Sequence, residues 1–327
     1  MKKKSLSIIF IFVVFCSLTF SGVAEANTSL DFAIHTEPNT AAHQAAEYFK
    51  EIVEEETDNE ITVNLFPGAA LGGEMDNIEQ LAGGDVAFSI FGDILPSTLA
   101  EEVATTVVPF IYPSVEDVYE AWESEIGDMM NEKIEESGLM VIGLQKRGAR
   151  HLTANRRIET PDELDGLRIR VPEIDTWVTV WEGIGASPTP VAWDEVYSAL
   201  QTGVVEAQEN PYENIYTPGL YEVQDYVMET GHLHNVFHWA VSLSVFEDLD
   251  EEHQDIILEA AERAAEYGSE ITEDNIDEFK SAVQEEGMEV VEVDTELWIS
   301  AAEPYVREIA EEEWLPEVWE HIEQYFD

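Results

Sequence analysis

The stretch Ile61–Ile90, ITVNLFPGAALGGEMDNIEQLAGGDVAFSI, decides the fold. Ile61 to Phe66 alternates apolar and polar side chains, the period of a strand. Pro67-Gly68 and Gly72-Gly73 punctuate a turn. Met75 to Leu81 reads as a short helix, and Gly83-Gly84 stops it. Val86 to Ile90 is a second apolar strand. Upstream, Leu30 to Ile34 reads as a strand. Asn39 is placed to cap a helix through Ala42, Ala45, Phe49, Ile52 and Val53. This β-α-β-α-β order predicts an α/β fold with parallel strands.

Working outward, the second half repeats the style. Val115 to Glu136 reads as one long amphipathic helix stopped at Gly138, followed by a strand at Leu139 to Leu144. Leu167 to Val171 and Val204 to Ala207 read as strands, Trp177 to Ile184 and Trp193 to Leu200 as helices. Asp250 to Gln284 is helical over most of its length and would approach 50 Å at about 1.5 Å per residue. That exceeds the width of one small domain, so the helix is expected to run along two lobes. Met288 to Val293 reads as a strand, and the acidic C-terminus as helix. At 327 residues the chain is long enough for two domains. It has no internal repeat and no Pro/Gly-rich boundary, so several crossings are expected to join them.

The charge is extreme. Lys plus Arg is 15 against 70 Asp plus Glu, a formal −55. Such a surface repels phosphate backbones, which argues against nucleic-acid binding. It would suffer strong self-repulsion in dilute buffer, which high salt screens. A halophilic source follows as an expectation.

Lys2, Lys3 and Lys4, then apolar Leu6 to Leu18, then Ala24-Glu25-Ala26 have the form of a secretory signal cleaved after Ala26. The apolar run is too short to span a bilayer. The expected location is therefore periplasmic. Cleavage would remove the only cysteine, Cys16, and exclude disulfides and thiolate chemistry. It would leave 12 basic and 69 acidic residues, a formal −57.

Seven of those 12 basic residues fall in the 25 positions from Lys146 to Arg170. Only Glu159, Asp162, Glu163 and Asp165 oppose them, so the stretch is net +3. An arginine kept against such a bias has a task, and its planar donor fork fits a carboxylate. On the strand Leu167–Val171, Arg168 and Arg170 share the face opposite Leu167, Ile169 and Val171. Arg170 stands at the C-terminal end, where open α/β sheets bind ligands. Arg170 and Arg150 are read as ligand-binding, and Arg168 as locally paired. Asn210, held extended by Pro211, offers a donor and an acceptor to a ligand or to a turn. Trp193 suits a pocket wall or a core position equally. Trp177 and Trp181 read mainly as packing, with Trp177 the weaker pocket candidate. His232, His234 and His238 read as structural hydrogen-bonding groups rather than a metal site. No zinc motif, nucleophile elbow, phosphate loop or dinucleotide pattern occurs, so no cofactor or metal is expected.

Leu164–Pro172 (LDGLRIRVP), Gly185–Pro190 (GASPTP), Trp193–Gly203 (WDEVYSALQTG) and Gln208–Pro211 (QENP) resemble the extracytoplasmic substrate-binding proteins of TRAP transporters, the DctP-type family. Phe66-Pro-Gly, Leu71-Gly-Gly-Glu74, Val108-Pro-Phe110 and Tyr221-Glu-Val-Gln224 fit the same family in order. The resemblance implies a two-lobed periplasmic-binding-protein fold with a central cleft and a long helix along both lobes. It implies capture of a small organic anion, delivery to a membrane permease, and no enzymatic activity. It assigns the carboxylate clamp to Arg170, a second contact to Arg150, a hydrogen bond to Asn210, the wall to Trp193 and a cleft-facing turn to His35. Asn214 joins these as a polar contact. One departure is Val205-Glu206-Ala207, where the family commonly has Asp-Gly and where Ala tolerates a left-handed backbone less well. The expected division is residues 27–147 with 236–275 in lobe I, and 148–235 with 276–327 in lobe II. A sugar or hydroxy acid ranks first as ligand, a C4-dicarboxylate second and ectoine third, with a 2-oxo acid as a further alternative. The competing readings are an exported hydrolase, for which no residues can be named, and the ligand-binding subunit of a sensory system. A monomer is the default.

Overall fold

The computed structural model describes residues 27–326. The expected signal segment, its cleavage site and Cys16 lie outside the described residues. The first lobe opens with β1 (Thr28–Ile34), α1 (Ala41–Glu56), β2 (Ile61–Phe66), α2 (Glu74–Gly83) and β3 (Phe88–Phe91). β1 lies between β2 and β3 and runs parallel to both, as two successive helical crossovers require. α1 buries Ala42, Ala45, Phe49, Ile52 and Val53 against this sheet. Phe49 meets Phe32 and Phe88 with ring centroids 5.6 and 5.1 Å apart. The α1 cap is Thr40, not Asn39: its hydroxyl accepts from the His43 amide at 3.3 Å. Asn39 instead takes a left-handed turn position, φ 70°, which asparagine tolerates.

α3 (Ile94–Leu99) follows, then α4 (Val115–Trp122), α5 (Glu125–Glu136) and β4 (Leu139–Lys146). The single helix expected over Val115–Glu136 is therefore two. Ser124 breaks it, its hydroxyl accepting from the Ile126 amide and starting a new N-terminus.

The second lobe contains β5 (Arg150–Ala154), β6 (Arg168–Val171), α6 (Asp175–Gly183), β7 (Ser187–Pro190), α7 (Val196–Gln201), β8 (Ala207–Asn210), α8 (Tyr212–Tyr216) and β9 (Tyr226–Leu233). β10 (Val236–Ser242) returns to the first lobe, followed by α9 (Leu243–Glu247) and α10 (Glu251–Glu285). β11 (Glu289–Glu292), α11 (Thr295–Glu312) and α12 (Pro316–Ile322) complete the chain. The sheets have the orders β2-β1-β3-β10-β4 and β11-β9-β5-β8-β6-β7.

Two expectations move here. The strand expected at Val204–Ala207 lies three residues later, at Ala207–Asn210. Val204 is 56% exposed, and its carbonyl is held by the Arg168 guanidinium instead of a ladder. Ala207 sits in ordinary strand backbone and needs no left-handed conformation. The residues from Trp193 to Gln201 form a 3-10 turn and then α7 rather than one helix.

Among the described residues three segments cross between the sheets: Arg147–Ala149 from β4 to β5, His234–Asn235 from β9 to β10, and α10. The two short crossings are tied together, the Arg147 amide donating to the Asn235 carbonyl at 3.1 Å. The 35-residue α10 packs on α1 in one lobe and α8 in the other, as its length anticipated. Among the described residues no helix is long and apolar enough to cross a membrane.

Salt should govern stability. Raising the ionic strength from about 0.1 to about 1 M shortens the screening length from roughly 10 to roughly 3 Å. Relief of several kcal/mol of carboxylate repulsion should raise the melting temperature by on the order of 10 °C, at about 2–4 °C per kcal/mol. Thermal unfolding across a salt series checks this; a flat or falling series refutes it.

Candidate functional site

The cleft opens where strands of both sheets end. His35 follows β1, and Gly92-Asp93 follows β3. Arg170 lies one residue from the end of β6, and Asn210 is the last residue of β8. Arg147 opens the β4–β5 crossing and Arg150 begins β5 directly after it. An inner chamber of about 30 Å³ touches both lobes, and Arg147, Arg150, Arg170, His35, Asp93 and Asn210 are on its wall.

Arg170 is the least committed cation of the site. Alternation on β6 turns it away from Ile169 and into the cleft, where it is 3% exposed. Its Nε donates to the Val191 carbonyl at 2.8 Å, and no carboxylate pairs with it among the described residues. Burial pushes its pKa down to about 10, against the pull of Glu209 and with help from the like charge of Arg150. An incoming carboxylate would restore what desolvation removes.

Arg150 is already engaged. Its Nε and one terminal nitrogen grip Glu209 at 2.6 and 2.9 Å, and the same terminal nitrogen reaches the Glu209 carbonyl at 3.0 Å. Its other terminal nitrogen is 3.5 Å from Asp93. Burial works against the Arg150 charge, but Glu209 outweighs it and raises the pKa. Burial likewise opposes the Glu209 charge, yet Arg150 and His232 hold that carboxyl at about 2. His232 Nε2 lies 3.0 Å from Glu209 and its Nδ1 2.7 Å from the Thr230 hydroxyl. The histidine therefore sits as a structural partner, as read. Trp177 is not on the cleft wall. It lies fully buried beneath the Arg150 guanidinium, 5.0 Å from ring to cation, with its indole N–H on the Val107 carbonyl.

Arg147, Asp93, Glu74 and Glu209 belong to the site and were not singled out from the sequence. Asn235 donates to both Asp93 oxygens at 2.8 Å. Arg147 stacks 4.2 Å over Phe237, lies 3.5 Å from Asp93 and donates to Asn214 at 3.4 Å. Burial and Arg150 bring its pKa down to about 10. Three buried arginines thus share the site with three carboxylates, Asp93, Glu209 and the largely buried Glu74. Glu209 is held by Arg150 and Asp93 by Asn235, so Arg147 and Arg170 are the cations best placed to meet an incoming anion. Arg147 and Glu209 stood inside stretches already notable, the basic cluster and QENP. Nothing local marked Asp93.

The other expected residues line the same space. His35 donates through Nδ1 to the Ile90 carbonyl at 3.0 Å, which leaves Nε2 facing Glu74 at 3.8 Å. Glu74 accepts from the Gly92 amide at 2.6 Å. Asn210 donates to Gln208 at 2.7 Å, and Asn214 and Trp193 reach the chamber. Outward, the cleft widens between Trp193, Asp76, Glu173, Asp194 and Glu195. Arg168 points elsewhere, to the Gly203 and Val204 carbonyls and Glu206, as expected of a locally paired residue.

Acid should destabilise this fold. Burial lowers the pKa of His238 to about 4 and of His151 to about 3. In the unfolded chain a histidine protonates near 6.5. Below that pH the unfolded state binds more protons, so stability is lost as pH falls toward 4 and then 3. Glu37 and Glu213, raised by burial, work in the opposite direction. Melting curves between about pH 7 and 4 in molar salt should show a steady decline, less steep in His238→Gln. A rise toward pH 4 would contradict the assignment.

The bacterial extracellular solute-binding protein family 7 matches residues 32–313. A solute-binding protein of Roseobacter denitrificans is 36% identical over 277 residues, 84% of this chain and 85% of that protein. A TRAP periplasmic solute-binding protein structure from Roseobacter denitrificans, with bound L-galactonate, superposes with a TM-score of 0.86 at 33% identity. It covers 92% of this chain and 99% of its own. One from a Sulfitobacter species, with bound β-D-galacturonate, has a TM-score of 0.84 at 27% identity over 91% of this chain and 99% of its own.

Proposed function

Because the chain belongs to the bacterial extracellular solute-binding protein family 7, we propose that its cleft captures a sugar acid, an aldonate or uronate, for a TRAP-type membrane permease. The observation that carries this reading is Arg170: a buried guanidinium with no carboxylate partner among the described residues, at the strand end of the cleft. The ligand carboxylate lies against Arg170 and Arg147. Arg150, tied to Glu209, sets the field and leaves its edge toward the ligand. Asn210, Asn214 and the Nε2 of His35 meet hydroxyl groups, and Trp193 covers a sugar face. Glu74 at the wider end accepts from hydroxyls further along the chain of the ligand. The hydroxyl-rich end suits these acceptors better than a second carboxylate would, which favours sugar acids over dicarboxylates. The bound galactonate and galacturonate of the similar structures support the same class.

The lobes, residues 27–147 with 236–275 and 148–235 with 276–327, close about the two short crossings and α10. Closure excludes water and strengthens the arginine contacts. The protein acts as an extracytoplasmic monomer after removal of its signal, and the ligand leaves unchanged. The family is one of solute-binding proteins, not enzymes, so the hydrolase reading falls away.

A thermal-shift screen of L-galactonate, D-galacturonate, D-glucuronate, C4-dicarboxylates, 2-oxo acids and ectoine in molar salt tests the class. A ligand at about 100 times its Kd adds roughly 2.7 kcal/mol to stability. A shift confined to sugar acids is expected. A shift with dicarboxylates alone would overturn the assignment.

A further inference from the structure

A second cavity lies where the first crossing meets the long helix. Its volume is about 110 Å³, and it shares only Arg147 and Asn214 with the inner chamber of the cleft. Phe237, Ile276 and Phe279 supply apolar wall, and His151 and Glu213 are among its polar groups. A mostly apolar hollow with a few fixed polar groups is the usual form of a small-molecule site.

Those polar groups are oriented and unspent. His151 Nδ1 accepts from the Gly231 amide at 3.2 Å. A neutral imidazole that accepts at Nδ1 carries its proton on Nε2. Nε2 has no hydrogen-bond partner among the described residues. The ring is held in place beside Tyr212, centroids 5.1 Å apart. Glu213 accepts from the Ala41 amide through one oxygen at 2.8 Å, and its other oxygen has no hydrogen-bond partner among the described residues. The cavity thus offers one neutral N–H donor and one carboxyl acceptor in apolar surroundings. A ring compound bearing a hydroxyl satisfies both, and its apolar body covers Phe237 and Ile276.

We propose that this cavity is an accessory site for a small hydroxylated ring compound of the phenol class, separate from the cleft. Its walls come from the β4–β5 crossing, α8, β10 and α10, so an occupant touches the segments about which the lobes close. Arg147 and Asn214, hydrogen-bonded to each other at 3.4 Å, face both spaces and couple them. By linkage, each ligand then changes the affinity of the other by the same factor.

Phenol is the probe, toluene its control, and the mature chain in molar salt the sample. Calorimetry should show saturable one-to-one phenol binding that persists with L-galactonate at saturation, with reciprocal shifts in the two Kd values. Ile276→Trp fills the cavity from an exposed helix position outside the cleft. It should weaken phenol by about tenfold or more and leave galactonate within about twofold. His151→Phe keeps the ring and removes the N–H, so it should abolish the preference for phenol over toluene. Absence of saturable phenol binding, complete displacement of phenol by galactonate, or unchanged phenol binding in Ile276→Trp would each overturn the proposal. Failure of galactonate to bind would count against the sugar-acid reading alone, since the phenol, Ile276→Trp and His151→Phe measurements do not depend on it.

Discussion

Arg170→Ala is expected to weaken sugar-acid binding by about 2–5 kcal/mol, roughly thirtyfold to several-thousandfold. Part of that loss comes from leaving a desolvated ligand carboxylate short of its counter-charge. The fold itself should tolerate the change. Arg170 makes one side-chain hydrogen bond, to the Val191 carbonyl, and burial already disfavours its charge. Stability without ligand should therefore stay within about 1–2 kcal/mol of the parent, the size of one hydrogen bond to a charged group. Arg170→Lys should recover only part of the affinity, because an ammonium lacks the planar fork. Titration calorimetry in molar salt, beside a denaturation curve, separates the two effects. Near-parental affinity in the alanine variant would remove Arg170 from the centre of the site.

Glu209→Gln carries the largest expected effect on stability. Glu209 is fully buried and holds Arg150 through both carboxylate oxygens while accepting from His232. With the charge gone, Arg150 keeps its 3.0 Å bond to the backbone carbonyl of residue 209, and Asp93, at 3.5 Å, is the one carboxylate left in contact with it among the described residues. An uncompensated buried guanidinium costs about 3–5 kcal/mol. The effect belongs to neutral pH. Glu209 has its carboxyl held at about 2 in the folded state, so its contribution is present above the ordinary carboxyl pKa near 4.3. It is lost as pH falls from there toward 2. Parent and variant should thus converge in acid. Chemical denaturation at fixed salt and neutral pH measures the loss; a difference under about 1 kcal/mol would show that the pair is not held as described.

The extent to which the site was legible follows from how each residue is placed. Arg170 could be read because strand alternation and strand direction are local properties, and both point it outward at a C-terminal end. Its sequence neighbour Arg168 has the same parity but lies nearer the other end, and pairs with Gly203, Val204 and Glu206. Arg150 was visible as a cation kept against an acidic bias. That it is clamped by Glu209 rather than free was not visible, since 59 residues separate them. Trp177 illustrates the same limit. Helical spacing showed that it packs, and only the fold could put Arg150 above it. Asp93 had no local signal: its importance comes from Asn235 and the two arginines, brought together by the crossings.

The unexpected strands have a related cause. β8 buries Gln208, Glu209 and Asn210 together, so no apolar alternation announces it. These side chains are buried because they satisfy one another and their neighbours across the sheet, as when Gln208 donates to Thr153 and Asn210 to Gln208.

By itself the amino-acid sequence determined the α/β class, the parallel β1–β3 core, the long helix, the acidic surface and the arginine at the end of β6. Each rests on periodicity, composition or turn chemistry within a few residues. Only the tertiary structure decided which charges cancel. It left Arg170 without a carboxylate while giving Glu209 to Arg150 and Asp93 to Asn235, because ion pairing depends on distances across the two crossings. Those distances are set by how the sheets pack, not by position along the chain.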